Sequence, residues 1–228
     1  MEVVELSSLP AVQRWDRRIY DPGCTDCPRL AWHLAACRRR YPDYFAHPVG
    51  PFGAARPKVL VVGLAPGMHG ANATGRPFTG DWAGILLYRT LHEFGFATRP
   101  VSVAADDGLR LKGCRITNAV KCLPPANRPT GAEVKNCNRY LAAELATLPA
   151  DLVILALGRI AHHAVLRAHG IPLRTHAFRH GAVHRLAGGR RLLDCYHTSR
   201  YNVQTGRLTE GMFRDVVQRA ASLVSAAR

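Results

Sequence analysis

A chain of 228 residues with 31 Lys+Arg against 16 Asp+Glu carries a formal charge of +15. Its 47% hydrophobic and 21% charged residues are those of an ordinary folded protein, which excludes a disordered or collagen-like chain. No apolar run approaches the roughly 18 residues of a membrane span, and the N-terminus, with Glu2 and Glu5, lacks the apolar core of a secretory signal.

The expected setting is therefore cytoplasmic and reducing, with no membrane partner, and the expected unit is a monomer. In such a compartment the 7 Cys read as thiols or metal ligands, not as a disulfide framework. The length suits one α/β domain spanning 1–228. The charge makes polyanions the first class of partner to consider. Of the basic residues 27 are Arg, and 9 of these fall within 151–208 against only Asp151 and Asp194. Arginine suits phosphate because its planar fork donates two parallel hydrogen bonds.

In chain order, residues 1–57 are Pro-rich and read as irregular, with one helix over about 29–40. Val59–Gly63 is a β-branched run ending in glycine, a buried strand, followed by a glycine-rich loop over 64–80. Residues 81–95 form a helix with Ile85, Leu86, Leu91 and Phe94 on its apolar face. Arg115–Val120 reads as a second strand. Thr130 and Glu133 make a capping box opening a helix that Pro149 stops. Leu152–Leu157 is the clearest buried strand, and a short helix runs from about Arg159 to Gly170. The runs 182–186 and 191–196 flank Gly188–Gly189 as a hairpin, and Thr209 caps a final amphipathic helix. Alternating strands and helices predict a three-layer αβα fold around a central, mainly parallel, four-stranded sheet. Ligands of such sheets bind beyond the carboxyl ends of the strands.

Three constellations collect at those ends. Cys24-x-x-Cys27 lies in the N-terminal segment, with Cys122 and Cys137 far downstream; together they can surround a tetrahedral metal or an Fe–S cluster, and ligand type alone leaves zinc and iron–sulfur open. Cys37, Cys114 and Cys195 sit in apolar or strand contexts and read as core. The second constellation is the loop from Gly63 to Asp81, which matches neither a Walker loop nor GxGxxG. Its Phe78 has little core to join and could stack on a base, and Asp81 could serve as a helix N-cap, as a functional carboxylate, or as both. The third is His197-Thr-Ser199-Arg200-Tyr-Asn202, a polar loop suited to phosphate and leaving-group contacts. His176, His180 and His184 are spaced four apart, but Gly181 and the strand-like context break a helix, so no metal site is expected from that spacing.

Four motifs in order resemble the iron–sulfur branch of the uracil-DNA glycosylase superfamily, families 4 and 5, over about residues 20–225. They are Cys24-x-x-Cys27; Gly63–Gly67 with Gly75-Arg-Pro-Phe-Thr-Gly80; Ile116-Thr-Asn-Ala-Val-Lys-Cys122 with Pro124-Pro-Ala-Asn127; and His197 to Asn202. Leu64 stands where family 4 is acidic, so the chain looks like family 5; Asn118 stands where family 4 reads uracil. The resemblance implies a [4Fe–4S] cluster on Cys24, Cys27, Cys122 and Cys137, and hydrolysis of the N-glycosidic bond of uracil, with other deaminated bases, in DNA. It assigns Asp81, His197 and Asn127 to catalysis, and Leu64, Ala65, Phe78 and Asn118 to the flipped base. Ser199, Arg200 and Asn202 would contact phosphates. Two other classes fit part of the pattern: a non-catalytic Fe–S or zinc nucleic-acid-binding module, and a redox or nucleotide-processing α/β enzyme using the glycine-rich loop.

Overall fold

The computed structural model describes residues 15–226. The first part of the segment read as irregular, residues 1–14, lies outside the described residues. The fold is built on β2 (Val59–Gly63), β3 (Cys114–Asn118), β4 (Val153–Leu157) and β6 (Arg191–Cys195), all parallel, in the order β3-β2-β4-β6. This is the expected parallel core of four strands. Two short antiparallel edge strands extend the sheet to six: β1 (Phe52–Gly53) on β3 and β5 (Val183–Arg185) on β6. The hairpin expected around Gly188–Gly189 is the β5–β6 pair. β1 has only two residues between prolines, too little for an alternation pattern to register.

Side chains that alternate along a strand face opposite layers. Leu60, Val62, Ile154 and Ala156 pack into one core with α1 (Pro28–Arg40), α4 (Gly131–Ala146) and α5 (Arg159–Ala168). Val59, Val61, Val153 and Leu155 pack into the other with α3 (Trp82–Glu93) and α7 (Glu210–Ser225). Both faces being covered, these strands are apolar throughout, as parallel strands must be. Short helices α2 (Ala71–Thr74) and α6 (Arg200–Gln204) complete the molecule.

The helix starts follow their caps. Thr130 accepts from Glu133 N, and the Glu133 carboxylate accepts from Thr130 N, the reciprocal pair expected for α4. Thr209 caps α7 through Met212 N at 3.1 Å. In α3 the buried face is Leu86, Leu87 and Leu91, whereas Ile85 points to solvent, correcting the expected face. The second strand ends at Asn118, not Val120, because Ala119 and Val120 turn to bond back to the Gly63 and Leu64 carbonyls. Among the described residues no helix is long and apolar enough to cross a membrane.

The chain leaves β2 toward β3 on one side and returns to β4 on the other. The carboxyl ends of β2 and β4 therefore open onto a crevice, where the 64–81 loop, Gly158 and the 196–202 segment meet.

Candidate active site

The crevice is an open cleft of about 920 Å³ lined by Leu64, Ala65, Phe78, Asp81, Asn118, Asn127, His197, Ser199 and Arg200, among others. Nine of the ten residues expected to serve base, sugar or phosphate thus share one cavity; Asn202 lines the adjoining recess.

The floor is formed at Gly63. Its register partner in the sheet is Asn118, and a Cβ at Gly63 would collide with both Asn118 Oδ1 and the Phe78 ring. Glycine at the strand end is what lets an amide and an aromatic ring approach each other there. Asn118 is buried, and its Oδ1 has no hydrogen-bond partner among the described residues. A buried acceptor left unpaired is costly, so this oxygen awaits a donor from whatever fills the cleft. Phe78 joins the core with only 6% exposure, contrary to the expectation that it would find little core. It also stands 6.0 Å from the His197 ring at a 29° interplanar angle. Its backbone is left-handed, φ 56°, a strained state for an aromatic residue held here by its packing.

Asp81 caps α3. One carboxylate oxygen accepts from Gly84 N at 2.9 Å. The other lies so close to the loop that a Cβ at Gly70 would stand 2.6 Å from it, and one at Gly67 3.4 Å. Burial pushes its carboxyl above the ordinary range, against the pull of the Gly84 and Ala83 amides. The N-cap role and an inward-facing carboxylate therefore coexist, each on its own oxygen.

His197 follows β6, and burial pushes its imidazole down to about 4. At neutral pH it is a neutral ring with one N–H to donate. Asn202 donates from Nδ2 to the His197 carbonyl at 2.8 Å, and Ser199 accepts from Asn202 N as the cap of α6. These contacts hold the His197 loop in place. Asn202, expected at phosphate, thereby gives one of its two amide hydrogens to the loop. Arg200 is exposed at the rim, its guanidinium 5.5 Å from the Trp82 ring centroid. Asn127 is exposed at the mouth in a 3-10 turn where Ala126 and Asn127 both take left-handed backbone, φ 52° and 56°.

Sequence reasoning missed Trp82 and Tyr201, which are 46% and 70% exposed at the cleft mouth. Large aromatics at solvent positions were the available signal. It also missed Arg76. That side chain is buried, pairs with Asp107 at 2.7 Å and donates to Ser102, so it ties the glycine-rich loop to the 98–110 segment and is no phosphate contact.

The cysteines gather elsewhere. Cys24, Cys27, Cys122 and Cys137 line a single recess between α1 and α4. Burial, and then the neighbouring Cys137, Cys24 and Cys27, push the Cys122 thiol up. Lys121 N donates to Cys137 Sγ at 3.3 Å, and Asn136 Nδ2 to Cys27 Sγ at 3.3 Å. Four thiol donors around one recess suit a tetrahedral metal ion or an Fe–S cluster. A separate group, His162, His184 and Asp194, brings three ligand atoms within 4.8 Å of one another. Cys37, Cys114 and Cys195 are buried in the cores as expected.

Fold and site together define an αβα protein whose strand-end cleft takes a flat, hydrogen-bonding ligand under a basic rim. A family model described as the uracil DNA glycosylase superfamily matches residues 51–221. A type-5 uracil-DNA glycosylase of Thermus thermophilus is 49% identical over 206 residues, covering 88% of this chain and 94% of the relative. Another, from Mycobacterium leprae, is 46% identical with 88% and 91% covered. A type-4 uracil-DNA glycosylase of Archaeoglobus fulgidus is 35% identical over 54% of each chain. The chain belongs to the uracil DNA glycosylase superfamily and groups with its type-5 members.

Proposed function

We propose that this chain is a monofunctional DNA-repair glycosylase that hydrolyses the N-glycosidic bond of uracil flipped out of DNA, leaving an abasic site. The observation that carries the reading is the buried, unpartnered Oδ1 of Asn118 beside the Phe78 ring. Uracil offers an N3–H donor next to the O4 acceptor, so Asn118 Oδ1 accepts from the first and its Nδ2 donates to the second. Cytosine presents the reverse pattern and leaves both groups of the amide unmatched, the situation that discriminates most strongly. Hypoxanthine, with N1–H beside O6, has the same donor–acceptor order as uracil, which supports a range including other deaminated bases.

The chemistry places positive charge on the deoxyribose and negative charge on the departing base. Neutral His197 donates its N–H to the base O2, stabilising the oxyanion as charge develops. Leu64 and Ala65 supply backbone amides to the same pocket, and Phe78 stacks on the ring. The Asp81 carboxylate faces the cationic sugar and orients the water that adds to C1′. Asn127 at the mouth helps hold that water. Ser199 and Arg200 sit where the phosphates flanking a flipped nucleotide must pass. In this reading Cys24, Cys27, Cys122 and Cys137 hold a [4Fe–4S] cluster, which supplies a four-point crosslink between the N-terminal segment and α4, and the hydrolysis does not pass through it. The whole chain acts as one domain and as a monomer in the cytoplasm.

The test is incubation with a uracil-containing duplex, then heating in alkali. Strand breakage at the uracil position is expected, together with cleavage at hypoxanthine and none at cytosine. An intact strand at uracil would leave a nucleic-acid-binding module as the reading.

A further inference from the structure

We propose that His162, His184 and Asp194 form a second metal site, for a divalent cation of the zinc class, beneath the His197 loop. The three come from α5, β5 and β6, and their ligand atoms lie within 4.8 Å of one another. His162 and Asp194 are fully buried, and His184 is 13% exposed.

The hydrogen-bond pattern around His162 carries the argument. Its Nε2 is 2.9 Å from the His176 carbonyl, which can only accept, so Nε2 bears the hydrogen. Its Nδ1 faces Asp194 Oδ1 at 2.7 Å. A buried nitrogen and carboxylate oxygen so placed are bridged either by a proton on Nδ1 or by a metal ion. A second imidazole reaches the same carboxylate, His184 Nε2 at 2.9 Å from Asp194 Oδ2. One cation satisfies both nitrogens and the carboxylate together.

The donor set is two imidazole nitrogens and a carboxylate oxygen, which suits zinc. The outer contact is also the one zinc sites use: a ligating histidine giving its other N–H to a backbone carbonyl. Donor atoms on a tetrahedral ion with bonds of about 2.0 Å stand about 3.3 Å apart. The nitrogen–oxygen pairs need open by only roughly half an ångström. The fourth ligand is water or His176, whose ring stands 5.2 Å from that of His184.

The site's place in the fold gives it a purpose. Asp194 precedes His197 by three residues, and α5 starts after Gly158, where a Cβ would stand 3.6 Å from His197 Cβ. An ion joining α5, β5 and β6 pins the platform that carries His197. His180, read with His176 and His184 as one spaced series, is not part of it; its ring stacks on Tyr196 at 4.9 Å.

The full chain, purified anaerobically with its iron, is incubated with zinc chloride, freed of excess ion on a desalting column, and assayed for both metals. One zinc per chain at unchanged iron is expected, with a zinc-edge absorption spectrum of nitrogen and oxygen ligands and a raised unfolding temperature. His184→Ala, on a partly exposed edge strand, should keep its iron and circular dichroism and bind zinc at least tenfold more weakly. A wild-type chain that retains no zinc, a zinc bound by sulfur, or equal zinc binding by His184→Ala would each overturn the proposal and assign a shared proton to the His162–Asp194 pair. Uracil excision need not be measured, so failure here is separate from failure of the proposed activity.

Discussion

At Asp81 one carboxylate oxygen is spent on the Gly84 amide at 2.9 Å while the other lies against Gly67 and Gly70, so capping and catalysis separate by substitution. Asparagine caps a helix about as well as aspartate, each worth about 1 kcal/mol over alanine. Asp81→Asn is expected to fold and bind DNA yet lose at least roughly 10²-fold in single-turnover rate, the scale of one preorganised electrostatic contact. Burial raises the Asp81 pKa, so the folded state holds this proton more tightly than the unfolded chain does. The ionised group therefore costs stability above its ordinary range, and Asp81→Asn should melt at the wild-type temperature or higher. Normal rates at the wild-type melting temperature would make Asp81 a cap alone. The pH–rate profile follows the same logic. Activity falls as pH drops through the raised Asp81 value, and His197, pushed down to about 4, is neutral at neutral pH. The folded ring resists a proton that the unfolded chain accepts, so stability also falls as pH drops from roughly 6.5 toward 4. A rate limb near pH 6.5 that disappears in His197→Gln would mean the ring works as a general base, against the proposed role.

At the scale of elements, α1 and α4 are stitched around the cysteine recess. Arg29 on α1 pairs with Glu133 on α4 at 2.7 Å, and Arg139 on α4 pairs with Asp26 beside Cys27. If these four thiolates hold the proposed cluster, serine at any one of Cys24, Cys27, Cys122 or Cys137 should release iron and lower solubility. Alanine at Cys37, Cys114 or Cys195 should keep the iron, since those thiols are in the cores. Iron content by metal analysis separates the two sets, and zinc in place of iron after anaerobic purification would refute the cluster. The helices themselves were legible in the chain, because capping boxes and 3.6-residue periodicity are local. Ile85 was misread because the apolar face of α3 is chosen by the sheet beneath it, and Leu87 fills that position instead. The five-residue α6 was read as part of a polar loop: it buries none of its residues, and its start is marked only by Ser199.

For the whole molecule, the distribution of charge decides binding. Many arginines have internal duties: Arg76 with Asp107, Arg115 with Glu144, Arg29 with Glu133 and Arg214 with Glu93. Arg128, Arg159, Arg200 and Arg207 are exposed around the strand-end cavities. If these four meet phosphates, the logarithm of the binding constant falls with that of salt at a slope of about −3.6. Arg200→Ala should make the slope shallower by about 1 and weaken binding to undamaged and uracil-containing duplexes alike. A loss confined to uracil-containing DNA would place Arg200 on the flipped base. The lysines bear on whether strand cleavage accompanies base removal, since a lyase needs an amine at the sugar. Lys58, Lys112 and Lys135 are exposed and line neither cavity. Lys121 is buried beside the cysteines, its ammonium donating to Thr117 and standing 3.7 Å from Glu144. Borohydride should therefore trap no protein–DNA adduct, and an adduct lost in Lys121→Ala would overturn this.

The amino-acid sequence alone determined the parallel core, the strand end at Gly63, the helix caps and the grouping of four cysteines against three. Each of these is written in short-range pattern: an apolar run, a cap pair, a C-x-x-C spacing. Only the tertiary structure decided which atoms are left over. That Asn118 Oδ1 has no partner, that Asn202 is spent on the His197 carbonyl, that Arg76 is buried on Asp107, and that His162 meets His184 across one carboxylate all depend on contacts between segments far apart in the chain. Hydrogen-bond satisfaction is a property of the packed interior, and the spacing of residues along the chain carries no record of it.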